Sequence, residues 1–546
     1  MAGRFRFVSI ALFTALLDAQ QPMQPPPKLE TCSMEGQLVD AVTGAPVRKA
    51  EITLWGVGTV TDQRYVTTTT ATGRFTVPDM EPGKYRMRVS KRGYSGTRYG
   101  AHTAGQSGTT WSVDPGQHLS GVLWRLSPQA VITGRVLDAD GEPLPKVDVS
   151  ILHSTFAAGK RKLTAWGQAS TNDLGEYRLF GLSPGRYYLT ATNMTRPGEF
   201  DSGQGYAPTY YPGTSDPAGA KAIELQAGTL LRGTDITLTK TRTARIRGRV
   251  VDPDPKERVQ GVGVSLQRRG DESQYMFSNY FGPVDQQGNF EIRGVVPGAY
   301  YVEATKRGDG KTLRAQQPID LRESDIENLV LELQPGTELK GQLRIEGRTV
   351  GDLADTRIWL ELDGSGNRGA GATVKTDGSF TLADVQSARY SLSIYGGSGA
   401  YYLKSARLGD QDVLESGLDL TRGVSGTLDV VVSSNGGQVE GVVLNASEQP
   451  EVGVMVVLVP DEPRRAQTRL YKDATTDQYG RFTIVGIAPG GYKLFAWEDV
   501  EDGAYEDPDY LKAFEDLGEP RTIRERSRES AQLKLIPAED KKTLLH

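Results

Sequence analysis

The residue types able to make and break bonds are sparse in this chain and stand apart. Its histidines are His102, His118, His153 and His546, and its one cysteine is Cys32. A catalytic zinc takes about three protein ligands and keeps a position open. None of these histidines begins His-x-x-Glu or His-Glu-x-x-His, and they are scattered singly, so no metal site is expected. Gly396-Gly397-Ser398-Gly399-Ala400 lacks the closing glycine of a nucleophile elbow and has no histidine nearby, and it reads as a loop. Cys32 has no partner for an intramolecular disulfide. It also lacks a basic or His neighbour to activate its thiol, and Leu29-Glu30-Thr31 before it is not a lipobox. It reads as a small residue at a domain entrance. Asp138-Ala139-Asp140-Gly141-Glu142 has the look of a calcium loop, but calcium needs roughly six to eight oxygens. Pro143 and Pro145 follow and no distal Glu fits, so a hairpin turn is expected. The acidic run from Glu498 to Asp509 precedes Arg521, Arg524, Arg526 and Arg528, which points to local pairing or a solvated loop. These residues predict no enzyme, no cofactor and no metal.

Aromatic residues are the remaining candidates. Gly205-Tyr206-Ala207-Pro208-Thr209-Tyr210-Tyr211-Pro212 and Tyr275-Met276-Phe277-Ser278-Asn279-Tyr280-Phe281 are dense for connectors. Tyr206, Tyr210, Tyr211, Tyr275, Phe277 and Tyr280 are therefore the candidate ligand-binding residues. A tyrosine offers an apolar face beside a hydroxyl, which suits the mixed surface of a sugar. Pro208 and Pro212 would hold the rings ready. The competing expectation is that the rings cover a junction between domains, where apolar surface is normally buried.

Any such residues must be positioned by a repeat. Apolar-x-Gly-x-apolar occurs at Met34-x-Gly36-x-Leu38, Ile132-x-Gly134-x-Val136, Ile246-x-Gly248-x-Val250, Leu339-x-Gly341-x-Leu343 and Val439-x-Gly441-x-Val443. Between 37 and 41 residues later comes a glycine with an aromatic two positions on: Gly73/Phe75, Gly175/Tyr177, Gly288/Phe290, Gly378/Phe380 and Gly480/Phe482. Nine residues after the turn glycine Pro-Gly-x-Tyr begins, at Pro82, Pro184, Pro297 and Pro489; the fourth copy keeps Tyr390 but has Ser387-Ala388. Period-two alternation makes the flanking segments strands. The turn glycines supply φ > 0, and a glycine on the inward face of the first strand lets the opposite sheet approach. One short helix is expected, Tyr510 to Leu517, capped by Asp509.

The succession Gly-x-Val-x-Asp, Asp-x-x-Gly-x-Tyr/Phe and Pro-Gly-x-Tyr resembles the carboxypeptidase regulatory-like domain family. The resemblance runs over about 500 residues and implies a transthyretin-like sandwich of the carbohydrate-binding-like superfold, used mostly as an accessory module. The fold expected is all-β, a tandem array of about five transthyretin-like (Ig-like) β-sandwich domains. Their spans are 32–129, 130–243, 244–336, 337–436 (divergent) and 437–538, with a tail at 539–546. The first-strand inward faces of copies two, three and five hold no lysine, so a Lys–Asn cross-link is not expected there.

Arg4, Arg6 and the apolar run Phe7 to Leu17 form an export leader, with cleavage expected near Ala19, so 1–19 is a signal peptide. Residues 20–31 are a Pro-rich linker. Eleven apolar residues are too few to span a bilayer, and no transmembrane span is expected in the mature chain. A net charge of −5 on 546 residues leaves no electrostatic footprint for nucleic acid. The chain thus reads as an exported (periplasmic, surface or extracellular) non-enzymatic binding or scaffolding protein. The alternative is a carbohydrate-binding protein that recognises glycan or cell-wall polymer through its loop aromatics. Its expected partner is a glycan or a surface protein. Short linkers predict a row of domains clearly longer than a single globule of about 24 Å radius of gyration.

Overall fold

The computed structural model describes residues 30–538, except 58–61, 97, 101–107, 158–159, 194–202, 255–258, 260, 270–279, 309–310, 348–355, 363–367 and 397–400. The leader, most of the Pro-rich linker, the tail and Ser398 lie outside the described residues.

Five sandwiches follow one another, each with the same central strand. That strand pairs antiparallel with the strand after the turn glycine and parallel with the last strand of its own unit. Cys32–Asp40 lies between Arg74–Met80 and His118–Leu126. Ala130–Asp138 lies between Glu176–Leu182 and the short strands Leu230–Leu231 and Ile236–Leu238. Ala244–Val251, Thr337–Glu346 and Gly437–Leu444 repeat the arrangement. The strand that leaves the Pro-Gly turn belongs to the facing sheet, as with Gly83–Ser90 against Glu51–Val57. Alternation sets the core: Gly83–Ser90 buries Tyr85, Met87 and Val89. One apolar cluster fills each sandwich.

The first-strand glycine has a different purpose from the one expected. Gly441 pairs with Phe482 on one side and Ala531 on the other. A Cβ there would overlap the Ala531 carbonyl and sit 2.8 Å from the Phe482 ring. The same geometry holds for Gly36 with Phe75 and Val122, Gly134 with Tyr177 and Thr234, Gly248 with Phe290 and Leu329, and Gly341 with Phe380 and Leu428. The glycine admits its own neighbour's ring and a carbonyl of the parallel strand, not the opposite sheet. The aromatic two residues after the turn glycine therefore covers the gap that the first-strand glycine leaves.

The turn glycines close the register. Gly175 and Gly480 take φ of +70° and +69°, where a β-carbon is costly. The Gly480 carbonyl accepts from Val443 N at 2.9 Å and so ties the turn to the central strand. The second motif is held by its tyrosine. The hydroxyls of Tyr85, Tyr187, Tyr300, Tyr390 and Tyr492 each donate to the carbonyl four residues back, at 2.7–3.0 Å. That bond is why the fourth copy keeps its tyrosine after losing Pro-Gly.

Two domains carry an extra layer. In domain 2 the segment before Ile223 lies over the outer face of the sheet and buries Leu152, Tyr188 and Tyr210. In domain 5 the segment 498–517 does the same over Met455–Pro460 and Gly490–Trp497, burying Phe495, Trp497, Tyr510 and Phe514. Met455–Pro460 is buried at every position, which accounts for its unbroken apolar run. The one α-helix among the described residues is Pro508–Lys512, not 510–517. Its cap is Asp507, because Pro508 takes the first helical position, where no amide donor is needed. No helix of the described residues is long and apolar enough to cross a membrane.

The domains do not form an open row. Phe156 of domain 2 packs into the outer cluster of domain 5. Its backbone runs so close to Gly503 that a Cβ there would lie 3.0 Å from the Phe156 carbonyl oxygen. Gln478 of domain 5 brackets Ser112 of domain 1, accepting from its amide at 3.2 Å and donating to its carbonyl at 2.7 Å. Gln117 donates to the Tyr479 hydroxyl at 3.0 Å. Glu525 of domain 5 meets Lys404 and Tyr402 of domain 4. Domain 5 therefore seats against domains 1, 2 and 4. The expected extended array is corrected on this point, because residues far apart in the chain supply matched seams.

Candidate functional site

The loop tyrosines are largely absorbed into packing. Tyr210 is 4 % exposed and pairs within the outer cluster of domain 2. Tyr206 and Tyr211 are half-buried against the main core of that domain. Gln204–Tyr206 pairs with Lys240–Arg242, the strand that leads into domain 3. Tyr280 packs against the core of domain 3 and meets the Tyr300 ring edge-on at 6.3 Å. Its hydroxyl accepts from Val296 N at 3.4 Å. Tyr275 and Phe277 lie outside the described residues. The rings of the Tyr206–Tyr211 segment are thus turned toward their own domain, because it pays more to cover a sheet face than to leave rings in water.

In domains 1, 2 and 3 the aspartate that ends or follows the first strand is committed as well. Asp138 accepts from the amides of Asp140 and Glu142 and pairs with Lys240 at 3.2 Å. Its oxygens hold a turn and an ammonium. Asp252 pairs with Lys306 at 2.8 Å, with both side chains largely buried. Asp40 accepts instead from the Tyr94 hydroxyl at 3.0 Å. Burial alone would raise the Asp252 carboxyl, but the Lys306 ammonium and the Asp254 amide hold it below its ordinary value. In the acidic run, burial and then the Asp502 charge push Glu506 up to about 7. Arg521 pairs within its own strand with Glu519.

Two arrangements were not visible in the sequence. The parallel pairing of Cys32–Asp40 with His118–Leu126 brings Ser33 Oγ to 2.5 Å from His118 Nδ1, with Glu35 at 3.6 Å from Nε2. The three lie on an exposed sheet face, with the acid on the ring nitrogen that a serine nucleophile would need. Cys32 beside them is buried, and burial raises its thiol.

The second is Trp166. Of the six tryptophans it is the exposed one, at 53 %. It lies in the edge strand Lys160–Ser170, where the register shifts between Ala165 and Gly167. In a regular strand Ala165, Gly167 and Ala169 would share one face. The bulge splits them: Ala165 packs on the outer cluster and Ala169 on the inner one. Bulges re-aim side chains in this way. The Trp166 ring meets His153 at 4.7 Å, and His153 stacks on Tyr187 at 6.3 Å and 15°. Phe180, 73 % exposed, stands on the other sheet.

The fold, the repeated glycine–aromatic pairs and the tyrosine bonds define a tandem β-sandwich protein built from one repeated module. The model of the carboxypeptidase regulatory-like domain family matches residues 33–117 and 131–240, within the first two sandwiches. No curated protein matches the chain. Among solved structures it is similar to the Bacillus anthracis TIE protein, at 12% identity over 56% of this chain and 51% of that one, with a TM-score of 0.17. The chain therefore spans about half the length of that protein. It is similar to the minor pilin of Streptococcus agalactiae at 14% identity, over 42% of this chain and 99% of that one, with a TM-score of 0.24. For the RrgB pilus protein of Streptococcus pneumoniae the identity is 8%, the coverage 75% and 98%, and the TM-score 0.16.

Proposed function

We propose that this chain is an exported, non-enzymatic scaffold that holds β-sandwich modules in a fixed arrangement for binding at the cell surface or in the periplasm. The observation that carries this reading is the seating of domain 5. It contacts domains 1, 2 and 4 through Gln478, the half-buried Phe156 ring and Glu525. A set of modules joined for reach alone would not need such matched seams; a set joined to present surfaces at fixed angles would. Use of the buried aromatics and most turn carboxylates for packing and turn closure agrees with a structural role. The leader pattern of residues 1–19 supports export. The test is fractionation of cells that express the full chain with its own leader. The reading expects a processed product, cut near Ala19, outside the cytoplasm and cross-linkable to an envelope component. An unprocessed cytoplasmic product would overturn it.

A further inference from the structure

The hairpin formed by Val147–Ala157 and Lys160–Ser170 is the longest in domain 2. Ile151 on its inner face is fully buried in the sandwich, but two residues further toward the tip His153 is only half-buried, and Thr155 likewise. The hairpin overhangs its core, and from His153 outward its inner face loses its cover. Cross-strand pairing puts Thr164 opposite His153, and the Thr155 and Thr164 hydroxyls meet at 2.7 Å. The bulge adds Trp166 to this same face, in contact with the His153 ring. An overhanging sheet face thus bears one open indole, an imidazole and two hydroxyls.

We infer that this face is a carbohydrate platform, on which the indole of Trp166 stacks against the C–H face of a pyranose while His153, Thr155 and Thr164 meet its hydroxyls. The chemistry favours a sugar over a protein partner. An aromatic anchor in a protein interface sits at the centre of a desolvated apolar patch, whereas Trp166 is a single ring beside hydroxyls. A pyranose has one apolar face of about ring size and a polar rim, and an amphipathic aromatic with a polar neighbour matches both. Stacked His153 and Tyr187 hold the site from beneath, so little order has to be gained on binding. The inference rests on the scaffold reading above and names what one of its modules would hold.

The experiment is affinity electrophoresis of the full chain through gels that contain soluble β-glucan, xylan or mannan. The wild type is expected to be retarded by at least one of them. Trp166→Ala should weaken that retardation by about tenfold or more, the loss of one aromatic stack. Trp166→Phe should keep part of it, and Tyr206→Ala should keep it unchanged. Indole emission of the wild type should shift to the blue in the retarding polysaccharide, and that of Trp166→Ala should not. Should Trp166→Ala melt early, the pair Thr155→Ala and Thr164→Ala carries the test, with the same loss expected. A wild type that no polysaccharide retards, or variants retarded like the wild type, would overturn the platform. So would Trp166→Ala abolishing a protein cross-link with no polysaccharide bound. New reducing ends in the retained polysaccharide would overturn the non-enzymatic reading and leave the platform standing, so the two failures are distinct.

Discussion

The Tyr390 hydroxyl donates to the Gln386 carbonyl at 3.0 Å, and it does so in the copy that has lost the Pro-Gly of the motif. The ring is buried in the core of domain 4 while its tip closes the turn. Tyr390→Phe keeps the ring and leaves the carbonyl without its donor. It should cost domain 4 about 1 kcal/mol. Tyr390→Ala should cost roughly 3–5 kcal/mol, since it also empties the ring's place. Hydrogen exchange of the amides of residues 379–420 reads both. Equal protection in wild type and Tyr390→Phe would show that the bond carries nothing.

A pair of glycine substitutions separates close approach from chain entropy. Gly441→Ala must fit a methyl group against the Ala531 carbonyl and the Phe482 ring. Overpacking of this kind costs about 1–3 kcal/mol. At Gly263, in the strand Val262–Arg268, a Cβ meets nothing within 4 Å. Gly263→Ala should be neutral or slightly stabilising, because alanine has less freedom to lose on folding. Denaturant titration monitored in domains 5 and 3 checks the contrast, and equal effects would remove the packing role of Gly441.

The Asp252–Lys306 pair sets a pH limit for domain 3. The folded carboxyl titrates below its unfolded value. Its contribution is therefore fully present above the unfolded carboxylate range and is lost as the pH falls through the folded value. Melting of domain 3 should decline on acidification, and Asp252→Asn should be less stable near neutrality while showing a shallower acid limb. An acid limb unchanged in Asp252→Asn would assign the decline to other carboxylates.

What could be read in the sequence follows from how local each feature is. Gly73 to Tyr85, and its counterparts, span one strand, the turns at its two ends and the start of the next strand, so their spacing shows in the chain. Pairing of the first strand with the last is parallel and spans a whole domain, as from Gly36 to Val122. Nothing in the string marks the carbonyl that the glycine must admit. The Tyr206–Tyr211 cluster is plain in composition, yet whether it faces solvent depends on an uncovered sheet face beneath it, formed by Leu152 and Tyr188. Trp166 was hidden for the opposite reason. Trp166, the residue after Ala165, lies on the face of His153, and the bulge after it keeps Ala169 on that face too, so strict alternation counted from Ala169 hides it. The unbroken apolar run of Met455–Pro460 was a signal available for a sheet covered on both faces.

Closure of the array is the least local feature and the most open to a direct test. Phe156 is an ordinary aromatic on a hairpin, and Gln478 an ordinary amide in a turn, yet each meets a domain hundreds of residues away. The two seams differ in kind. The Phe156 seam half-buries an aromatic ring against the apolar cluster of domain 5 and brings two backbones together at Gly503. The Gln478 seam is a polar bracket whose hydrogen bonds are worth roughly 0.5–1.5 kcal/mol each. The ring should therefore be the main fastening. A compact globule of this length would have a radius of gyration of about 24 Å. Wild-type protein in small-angle scattering should lie above that value and well below that of five sandwiches end to end. Phe156→Asp places a charge in the apolar cluster, where it is costly to bury, and should raise the radius and lengthen the maximum dimension. Gln478→Ala should change both much less. A wild-type profile already as long as a linear string, or one that Phe156→Asp leaves untouched, would show that domain 5 does not hold domain 2.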